Sequence, residues 1–462
     1  MSLCLQESRM HYDAVVIGFG KGGKTLAAKL AGLGKTVAVI EKSEKMYGGT
    51  CINVGCIPSK SLVRSSDIAG LSPDLPFAEK AAFYASAVAE KARLTAMLRQ
   101  KNFDKLDMLE NVTVYTGFAS FLSNTRVQVA TEDGTFVVEG EKIFINTGAR
   151  PIIPDIPGLA DCPRAYVSET LMDLSVLPKH LVVIGGGYIG LEFASMYAGF
   201  GSKVTVLQDG GVFLKKEDED VAAEIKKVLE AKGIEFLIGA SIHGVVNGPV
   251  VSTVSCTWNG CSYEFAADAI LIATGRTANT EGLHAEAAGV SLTRHGAVVV
   301  DENLKTTAPN IWAMGDVCGG LQFTYVSLDD FRVIWSQISG GGYSTLQRKT
   351  VPYSVFIDPP FSRVGLSERE AVAAGYTVKI AKLPAAAVPK AQVLQKPAGL
   401  LKAVVDADSG KILGMAALCA ESYEFINVVK LAMDLGVRSE VLRDQIFTHP
   451  TMCEALNDLF AV

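Results

Sequence analysis

Apolar residues along this chain of 462 residues form two copies of a strand, turn, helix and strand pattern. In the first copy, an apolar run at residues 13–17 leads into a glycine turn, a helix at about residues 24–33 and a second apolar run at residues 36–40. The plan returns over residues 181–208, and in both copies 18 positions separate the third glycine from the residue that ends the second strand. The pattern predicts two dinucleotide-binding folds in an α/β protein.

Beyond these copies, the pattern predicts one long helix, several short strands and a separate C-terminal region. The helix is expected at about residues 77–98, and the strands over residues 112–121, 126–129 and 136–138. From residue 352 onward, alternating strands and two terminal helices follow without a glycine fingerprint. This last region is therefore expected to form a third domain that does not bind a dinucleotide through a glycine turn.

The expected domain boundaries fall where glycine and proline interrupt the apolar pattern. A proline-rich run follows Thr147-Gly148, and Ala273-Thr-Gly275-Arg ends the second copy in the same manner. We expect a first nucleotide domain, a second nucleotide domain, a central segment that completes the first site, and a C-terminal interface domain. Their boundaries are residues 1–150, 151–276, 277–346 and 347–462.

Composition narrows the class of protein. The net charge is −6 and the isoelectric point is about 5.7, which gives no support for nucleic-acid binding. No apolar run approaches a membrane span, so we expect a cytoplasmic protein without a membrane partner. The nine cysteines are scattered rather than arranged as a disulfide framework. Residues 1–9 precede the first strand and are expected to be a leader without a function in the fold.

The first glycine turn has the spacing of a dinucleotide fingerprint. Gly18-x-Gly20-x-x-Gly23 allows a tight turn, a close approach to a pyrophosphate and packing of the helix on the strand. Glu41 stands where a ribose hydroxyl would be bound. A glycine-rich turn without a ligand is the alternative, and the strand, helix and acid around the motif argue against it.

The second turn, Gly185-x-Gly187-x-x-Gly190, repeats this arrangement, but Gln208 replaces the acid. Glutamine binds a ribose hydroxyl without repelling a 2′-phosphate. The lysines at residues 215–216 either reach that phosphate or belong to a solvated face, and their distance from the strand favours the solvated face. The sequence leaves NADH and NADPH open.

Cys51 and Cys56 stand five positions apart, directly after the first nucleotide fold. In a continuous helix their Cα atoms would be about 8–9 Å apart, beyond the reach of a disulfide. A disulfide between them requires an interrupted backbone, which Gly55 allows. A helix that begins here would favour a thiolate through its dipole. Two buried thiols that never pair are the alternative.

Two further groups are candidates for proton and charge chemistry. His449 and Glu454 form a histidine-carboxylate pair in which the acid orients the imidazole and the other ring nitrogen exchanges a proton with a thiol. Lys60 lies one helical turn after Cys56 and is either directed at a cofactor or a solvated helix residue. The other histidines are expected to be structural.

The string Gly48-Gly-Thr-Cys51-Ile-Asn-Val-Gly-Cys56-Ile-Pro resembles that of the FAD-dependent pyridine nucleotide-disulfide oxidoreductases, the family of dihydrolipoamide dehydrogenase, glutathione reductase and mercuric reductase. Met314-Gly-Asp316-Val resembles their second flavin motif. The resemblance implies two Rossmann-like domains, one for FAD and one for NADH or NADPH, and a C-terminal α+β dimerisation domain. It also implies a homodimer in which His449 and Glu454 act on the cysteines of the second subunit.

The same resemblance implies roles for individual residues. Cys56 would be the thiol next to the flavin and Cys51 the thiol that meets the substrate, while Lys60 and Glu192 would form an ion pair beside the flavin and Tyr188 a gate over it. The positions implied to bind the cofactors are Gly18, Gly20, Gly23, Glu41, Thr50, Lys60, Gly117, Ala119, Thr147, Gly148, Gly185, Gly187, Tyr188, Gly190, Glu192, Gln208, Gly275, Asp316 and Thr324.

Within the family, the chain is similar to the reactive-chlorine-resistance flavoproteins of the RclA type. Phe323-Thr-Tyr-Val-Ser327 stands where the dehydrogenases and glutathione reductases have Leu-Thr-Pro-Val-Ala, which argues against a lipoamide or glutathione enzyme. Only eight residues follow Glu454, without a second cysteine pair, so the electron path is expected to end at Cys51 and Cys56.

The expected activity is an NAD(P)H-dependent flavoprotein reductase for oxidant, reactive-chlorine or metal-ion defence, with copper or mercury ions as candidate acceptors. No resident metal is expected. Reduced Cys51 and Cys56 either bind a soft metal transiently or cycle only as a disulfide, and the sequence does not choose between these. A lipoamide-type or other disulfide reductase, a flavoprotein subunit of a larger complex and a redox sensor are the alternatives.

Overall fold

The computed structural model describes residues 10–461, so the expectation of a leader at residues 1–9 lies outside the described residues. The described chain forms 22 strands. They are β1 (Met10–Ile17), β2 (Val37–Glu41), β3 (Val112–Thr116), β4 (Phe118–Phe121), β5 (Arg126–Thr131), β6 (Gly134–Ile145), β7 (Ala149–Pro151), β8 (Ala165–Val167), β9 (His180–Ile184), β10 (Lys203–Gln208), β11 (Ile234–Ile238), β12 (Ser241–Asn247), β13 (Ser252–Trp258), β14 (Cys261–Ala267), β15 (Ala269–Ile272), β16 (Arg276–Ala278), β17 (Ile311–Ala313), β18 (Tyr353–Val355), β19 (Phe361–Gly365), β20 (Val378–Pro384), β21 (Leu400–Asp406) and β22 (Ile412–Leu418).

The same residues form 13 α-helices and five short 3₁₀ helices. The α-helices are α1 (Lys21–Ala31), α2 (Thr50–Asn53), α3 (Cys56–Ala69), α4 (Phe77–Asp107), α5 (Ser168–Leu171), α6 (Tyr188–Phe200), α7 (Glu219–Glu230), α8 (Thr324–Ile338), α9 (Glu368–Ala373), α10 (Pro389–Val393), α11 (Ser422–Asp434), α12 (Ser439–Arg443) and α13 (Ala455–Leu459). The 3₁₀ helices are Glu44–Met46, Ala285–Ala288, Gly315–Cys318, Thr345–Gln347 and Ala385–Ala387. No helix among residues 10–461 is long and apolar enough to cross a membrane.

The chain divides into two compact units. The first contains residues 10–61, 88–152 and 275–348, and the second contains residues 62–87, 153–274 and 349–461. Each unit therefore gathers segments that are distant in sequence.

A seven-stranded sheet forms the centre of the first unit, in the order β3-β2-β1-β6-β5-β4 with β17 beside β6. Strands β3, β2, β1, β6 and β17 pair in parallel, and β5 and β4 pair antiparallel. The apolar run of β1 is fully buried from Val15 to Ile17 because side chains pack on both faces of a parallel sheet. This burial fixes the end of β1, and with it the glycine turn that follows.

The second unit contains a parallel sheet, an antiparallel meander and an antiparallel C-terminal sheet. The parallel sheet has the order β11-β10-β9-β15-β8, the meander β12-β13-β14, and the C-terminal sheet β18-β19-β22-β21-β20. The turn Asn259-Gly260 joins β13 to β14 with a positive φ at both residues, the conformation that a two-residue hairpin turn requires. The prediction of two nucleotide folds in an α/β protein is confirmed.

Several predicted boundaries were wrong. Helix α1 begins at Lys21 rather than about residue 24, because the backbone of Gly20 is extended and ends the turn there. Helix α4 continues to Asp107 rather than about residue 98. The C-terminal region contains five α-helices rather than two. Helices α9 and α10 are short and lack a recognisable apolar period, and three helices, α11, α12 and α13, follow the last strand where two were expected.

Candidate functional site

The first glycine turn, residues 18–20, joins β1 to α1, and Gly23 of the same fingerprint lies in the first turn of that helix. Gly18 has φ +105°, a conformation that glycine adopts without strain. A Cβ at Gly23 would lie 2.8 Å from Val16 Cγ1 and 2.9 Å from the Gly18 carbonyl oxygen, so only glycine lets α1 pack this closely on β1. The turn therefore lies at the N-terminus of an 11-residue helix, where the helix dipole stabilises an anion.

Asn146, which directly follows β6, stabilises this turn through hydrogen bonds of its side chain. Its side-chain oxygen accepts a hydrogen bond from the Gly23 N–H at 3.0 Å, and its amide nitrogen donates to the Met314 carbonyl at 2.7 Å. A Cβ at Gly20 would also meet the Asn146 side chain. The amide thus fills the space behind the turn and ties three chain segments together.

Glu41, the last residue of β2, contacts the same turn through its carboxylate. Its Oε2 accepts a hydrogen bond from the Phe19 N–H at 2.9 Å, and burial raises the pKa of the carboxyl group. The Glu41 carbonyl accepts from the Gly117 N–H at 2.9 Å, and Ala119 follows as a buried residue of β4. These contacts place Gly117 beside Glu41 at the end of β2, and the binding of a cofactor by Glu41, Gly117 and Ala119 stays a prediction.

The other predicted flavin positions of this unit lie on short turns. Gly148 has φ +74°, and a Cβ there would lie 3.9 Å from Thr50 Oγ1 at the start of α2. Thr147 Oγ1 donates to the Asn279 carbonyl at 2.7 Å. Gly275, with φ +126°, accepts at its carbonyl from the Ile152 N–H at 2.9 Å.

Asp316 lies half-buried in the 3₁₀ helix Gly315–Cys318. Burial raises the pKa of its carboxyl group, and Arg276 opposes that shift. Asp330 of α8 holds the preceding residue, because its Oδ2 accepts from the Gly315 N–H at 2.7 Å. Arg348 forms ion pairs with both Asp329 and Asp330, so the position of the Asp316 turn depends on α8.

The two cysteines occupy the adjoining ends of two helices. Cys51 belongs to α2 and Cys56 begins α3, so the predicted interruption of the helix is present. Gly55 has an ordinary φ but allows a close approach: a Cβ there would lie 3.0 Å from the Thr50 carbonyl oxygen and 3.3 Å from Cys51 Cα. Both cysteines are free thiols, Cys51 half-buried and Cys56 exposed.

A hydrogen bond between the thiols separates their acidities. Hydrogen bonding from Cys51 lowers the pKa of Cys56 to about 6, and Thr324 and Lys60 act in the same direction. The same bond and burial raise the pKa of Cys51. Thr324, the first residue of α8, places its Oγ1 3.5 Å from Cys56 Sγ, so its hydroxyl faces the thiol. The pair therefore contains one thiolate and one thiol near neutral pH.

Lys24 is a residue of this site that the sequence did not identify. Its ammonium group donates to the Gly48 carbonyl at 3.0 Å and to Asn102 Oδ1 at 2.6 Å. Burial lowers the pKa of Lys24 to about 8, while Cys51 acts in the opposite direction. The signal was present, because Lys24 directly follows the third glycine of the first fingerprint.

The second glycine turn, residues 185–190, is formed in the same way. Gly185 has φ +113°, and a Cβ at Gly190 would meet the Gly185 carbonyl. At Gly187, in contrast, a Cβ would have no atom of the described residues within 4 Å apart from its two chain neighbours. Gln208 Nε2 donates to the carbonyls of Gly210 and Val212 at 2.6 and 3.0 Å, while its side-chain oxygen faces Gly186. The turn has open space in front of it, and the glutamine oxygen remains directed at the turn.

Two residues of α6 that the resemblance singled out have partners within the second unit. Tyr188, the first residue of α6, donates its hydroxyl proton to Glu217 Oε1. Glu192 Oε1 accepts from the Phe356 N–H at 2.8 Å. The ion pair of Glu192 with Lys60 stays a prediction. The lysines at residues 215–216 are exposed, and both interpretations of them stay open.

His449 and Glu454 form the predicted pair: His449 Nδ1 and Glu454 Oε2 are 2.8 Å apart. The imidazole is exposed and the carboxylate is half-buried. Glu454 Oε1 also accepts from the Thr451 N–H at 3.3 Å, which fixes the acid on its own loop. The described residues contain no cluster of three or more histidine, cysteine or acidic side chains that could hold a metal ion.

The sequence matches the family described as pyridine nucleotide-disulphide oxidoreductase over residues 12–330, and the dimerisation domain of that family over residues 351–460. It is 47% identical to the probable pyridine nucleotide-disulfide oxidoreductase RclA of Escherichia coli strain K12, over 98% of this chain and 99% of the relative. It is 34% identical to a mercuric reductase of Lysinibacillus sphaericus, over 96% of this chain and 81% of the relative.

Solved structures of RclA are similar to this structure over nearly its whole length. A structure described as the Cu(II) complex of the HOCl-induced flavoprotein disulfide reductase RclA from Escherichia coli matches with a TM-score of 0.92 and 47% identity, over 98% of this chain and 99% of that chain. The RclA structure described without copper matches with a TM-score of 0.91 over 98% of this chain and 100% of that chain.

The residues of both turns fit the cofactors of this family. A glycine turn at a helix N-terminus with an acceptor side chain at the next strand end suits a dinucleotide, and the chain contains two such turns. FAD fits the first turn, which lies in the same unit as the cysteines, and NAD(P)H fits the open second turn. The chain therefore belongs to the pyridine nucleotide-disulphide oxidoreductases, flavoprotein enzymes that use FAD and NAD(P)H.

Proposed function

We propose that this enzyme is an RclA-like reductase that takes electrons from NAD(P)H and delivers them through FAD and the Cys51–Cys56 pair to an acceptor in oxidant, reactive-chlorine or metal-ion defence. The observation that carries the proposal is the thiol pair itself. Two cysteines meet at adjoining helix ends, one of them is acidic, and Thr324 contacts the acidic sulfur. A thiolate next to a protonated thiol is the reduced form of a disulfide that accepts and donates two electrons.

Bound at the first turn, FAD would supply two-electron transfer between NAD(P)H and the disulfide. The residues proposed to hold it are the glycines of the first turn, Glu41, Asp316 and the turn at Thr147-Gly148. Asn146 and Asp330 would keep these groups in place through their hydrogen bonds to backbone N–H groups. The glycines of the second turn and Gln208 are proposed to hold NAD(P)H.

The roles of the two sulfur atoms follow from their acidities. Reduction of the disulfide takes up two electrons and breaks the S–S bond, leaving a thiolate at Cys56 and a thiol at Cys51 after one proton is bound. We assign Cys56 to the flavin side and Cys51 to the acceptor side. Reoxidation forms the S–S bond again, releases that proton and passes two electrons to the acceptor.

The proton is proposed to move through His449 of a second subunit. Glu454 accepts from Nδ1, so the lone pair of Nε2 is available to take a proton from a thiol. The match to the dimerisation domain supports a homodimer, and the exposed imidazole suits an interface between subunits. The division of the chain into the four domains given above is part of this proposal.

The identity of the acceptor rests on the relatives and on one local feature. The description of the related RclA structure names HOCl and Cu(II), and a mercuric reductase is also among the relatives of this chain. The rings of Phe323 and Tyr325, the residues directly before and after Thr324, stack on each other with a centroid distance of 5.1 Å. These residues belong to the segment in which the sequence departs from the disulfide reductases. With Cu(II), oxidation of the two sulfurs to the disulfide would reduce two copper ions to Cu(I).

The test begins with the purified flavoprotein, titrated under anaerobic conditions with NADH and then NADPH. Two-electron reduction should add two titratable thiols and a long-wavelength absorbance, and Cys56→Ser should abolish that absorbance. The reduced enzyme is then mixed with Cu(II), Hg(II), quinones, oxidised glutathione and lipoamide. Fast reoxidation by a metal ion or an oxidant supports the proposal. High turnover with glutathione or lipoamide, or survival of the absorbance in Cys56→Ser, would contradict it.

A cytoplasmic location remains part of the proposal, since an odd number of scattered cysteines is typical of a reducing compartment. Fractionation of cells that express the protein would test this location.

A further inference from the structure

Lys24 holds a positive charge in a half-buried position without a carboxylate to match it. Its ammonium group donates to two neutral oxygens, the Gly48 carbonyl at 3.0 Å and Asn102 Oδ1 at 2.6 Å. Among the residues that the structure describes, no acidic side chain forms an ion pair with it. The charges of Lys21 and Lys105 act on it with the same sign. A cation in such surroundings costs free energy, so we expect a negative group to offset it at some stage of the reaction.

The segment that Lys24 binds leads directly to Cys51. Gly48 lies three residues before Cys51. A Cβ at Gly49 would lie 2.7 Å from Gly20 Cα, so the segment packs on the first glycine turn. Lys24, the fourth residue of α1, therefore joins this turn to the segment that carries the thiol.

Helix α4 holds the same segment with two side chains. Asn102 Nδ2 donates to the Leu98 carbonyl at 2.7 Å, which leaves Oδ1 as the acceptor for the lysine. Arg99 Nε donates to Asn53 Oδ1 at 2.8 Å, two residues after Cys51. Contacts from α4 before and after the thiol thus fix the ammonium group relative to the segment.

A different lysine stabilises negative charge on each sulfur of the pair. Hydrogen bonding from Cys51 is the main cause that lowers the pKa of Cys56, and Lys60 acts in the same direction. Hydrogen bonding with Cys56 and burial raise the pKa of Cys51, and Lys24 and Thr324 oppose them. When Cys51 also loses its proton, two thiolates stand side by side, and Lys24 is the cation that acts on the second one.

We propose that Lys24 is the counter-charge for the Cys51 thiolate in the step that reduces the acceptor. The inference rests on the proposed function, in which Cys51 lies on the acceptor side. In that step Cys51 releases its proton to a base, its sulfur forms the S–S bond with Cys56, and two electrons pass to the acceptor. The ammonium group exchanges neither a proton nor an electron. It lowers the free energy of the thiolate, so Lys24 is a positioning residue.

The test isolates one sulfur by using Cys56→Ser as the background in the complete flavoprotein. The rate of Cys51 alkylation by iodoacetamide then follows the fraction of Cys51 that is thiolate. At about pH 7, Lys24→Met should lower this rate about three- to tenfold. Lys24→Gln is a second neutral variant with the same expected result, and it replaces Lys24→Met if that variant does not fold. With Cys56 intact, Lys24→Met should slow reoxidation of the NAD(P)H-reduced enzyme by Cu(II) by a similar factor.

The pH profile separates an effect of charge from an effect of packing. Burial lowers the pKa of Lys24 to about 8, so its charge is present at about pH 7 and is lost as the pH rises through 8. The deficit of Lys24→Met relative to lysine should therefore shrink between about pH 7 and about pH 9. Lys24→Arg keeps its charge over this range and should restore the alkylation rate at the lower pH.

Two matched variants serve as controls. Lys105→Met removes an exposed charge of α4 by the same substitution and should leave the alkylation rate of Cys51 unchanged. Asn102→Ala removes a hydrogen bond of Lys24 but leaves its ammonium group. It should lower the melting temperature and slow the alkylation less than Lys24→Met does.

Three results would overturn the role of Lys24. Loss of FAD from Lys24→Met with an unchanged alkylation rate would assign the lysine to the FAD pyrophosphate. Equal slowing by Lys24→Met and Asn102→Ala, or no recovery in Lys24→Arg, would assign it to packing of the segment.

The same measurements keep this inference separate from the proposed function. If wild type passes electrons from NAD(P)H to an acceptor but Lys24→Met alkylates as fast as lysine, the role of Lys24 is wrong and the proposed function stands. If the alkylation rates are as expected but reduced wild type passes electrons to no acceptor, the proposed function fails and the effect of Lys24 on Cys51 remains.

Discussion

The two glycine turns of this protein share a backbone and differ in what lies around them. Gly18 lies against the carbonyl of Asn146, and Gly185 lies in the same way against the carbonyl of Ala273. The Asn146 side chain fills the space beside Gly20, whereas the corresponding Gly187 faces open space. The first turn is thus enclosed by protein groups and suits a cofactor that stays bound. The second is open and suits one that must enter and leave in every cycle.

Substitution of the first glycine in each turn should have the largest effect and should affect a different cofactor in each turn. Valine at position 18 would adopt a disfavoured φ, and its Cβ would lie 2.7 Å from the Asn146 carbonyl carbon. We expect Gly18→Val to lower the free energy of unfolding by about 3–5 kcal/mol and to release FAD. Gly185→Val places a Cβ 2.7 Å from the Ala273 carbonyl carbon, and we expect it to retain FAD and lose reduction by NAD(P)H.

The flavin-to-protein absorbance ratio, thermal unfolding and anaerobic reduction check both variants. Loss of flavin from Gly185→Val together with retention in Gly18→Val would reverse the assignment of the two cofactors.

Substitutions of Asn146, which packs behind the first glycine turn, and of Ala273, which packs behind the second, should test whether these residues make the two turns differ. Asn146→Ala leaves the Gly23 N–H and the Met314 carbonyl without their side-chain partner. The cost should be about 2–4 kcal/mol in the free energy of unfolding, with weaker FAD retention during gel filtration. Ala273→Asn directs a new amide at the open turn and should raise the dissociation constants for NAD⁺ and NADP⁺ about tenfold.

Chemical denaturation and calorimetry measure these two effects. Unchanged dinucleotide binding in Ala273→Asn would show that the open space at Gly187 is not used by the ligand.

The acidic thiol of this protein, Cys56, lies in the first unit, and the pH dependence of its alkylation follows from its lowered pKa. The folded-state pKa of Cys56 is lowered to about 6, so its thiolate is complete above about pH 7 and disappears as the pH falls through 6. Alkylation of the reduced enzyme by iodoacetamide should therefore have its midpoint near pH 6. Cys51→Ser weakens the hydrogen bond to Cys56 and should move the midpoint upward by about one unit or more.

Mass spectrometry of the alkylated peptides identifies the modified residue. A midpoint near the ordinary value of about 8.5 in the wild-type enzyme would contradict the thiolate assignment.

The smallest expected effect concerns the residue that ends the second strand of each nucleotide fold. Gln208→Glu makes the second turn resemble the first at Glu41. A carboxylate binds both ribose hydroxyls and repels a 2′-phosphate, so the ratio of kcat/KM for NADH to that for NADPH should rise about threefold to tenfold. Gln208→Ala is the control without an acceptor, and a shift of the ratio toward NADPH in Gln208→Glu would contradict this role.

Much of this organisation is predictable from local sequence. Glycine spacing after an apolar run specifies both turns, because the backbone approach that it permits is a local property. The cysteine pair and the contact between His449 and Glu454 were found in the same way, since their residues are close in sequence. The long-range contacts of Asn146, Lys24, Asp330 and Glu217 were missed, because each joins segments that only the folded chain brings together.

Gly55 has a mechanical consequence for an enzyme that must open and close a bond in every turnover. The helix is already interrupted between α2 and α3, and Gly55 packs closely against Cys51, so the interruption that a disulfide requires is present while both cysteines are thiols. Neither helix has to unwind, so the chain is not deformed and rebuilt at each cycle. A methyl group at this position would act as a spacer: Gly55→Ala should slow the closing of the bond while leaving its two sulfur atoms chemically unchanged.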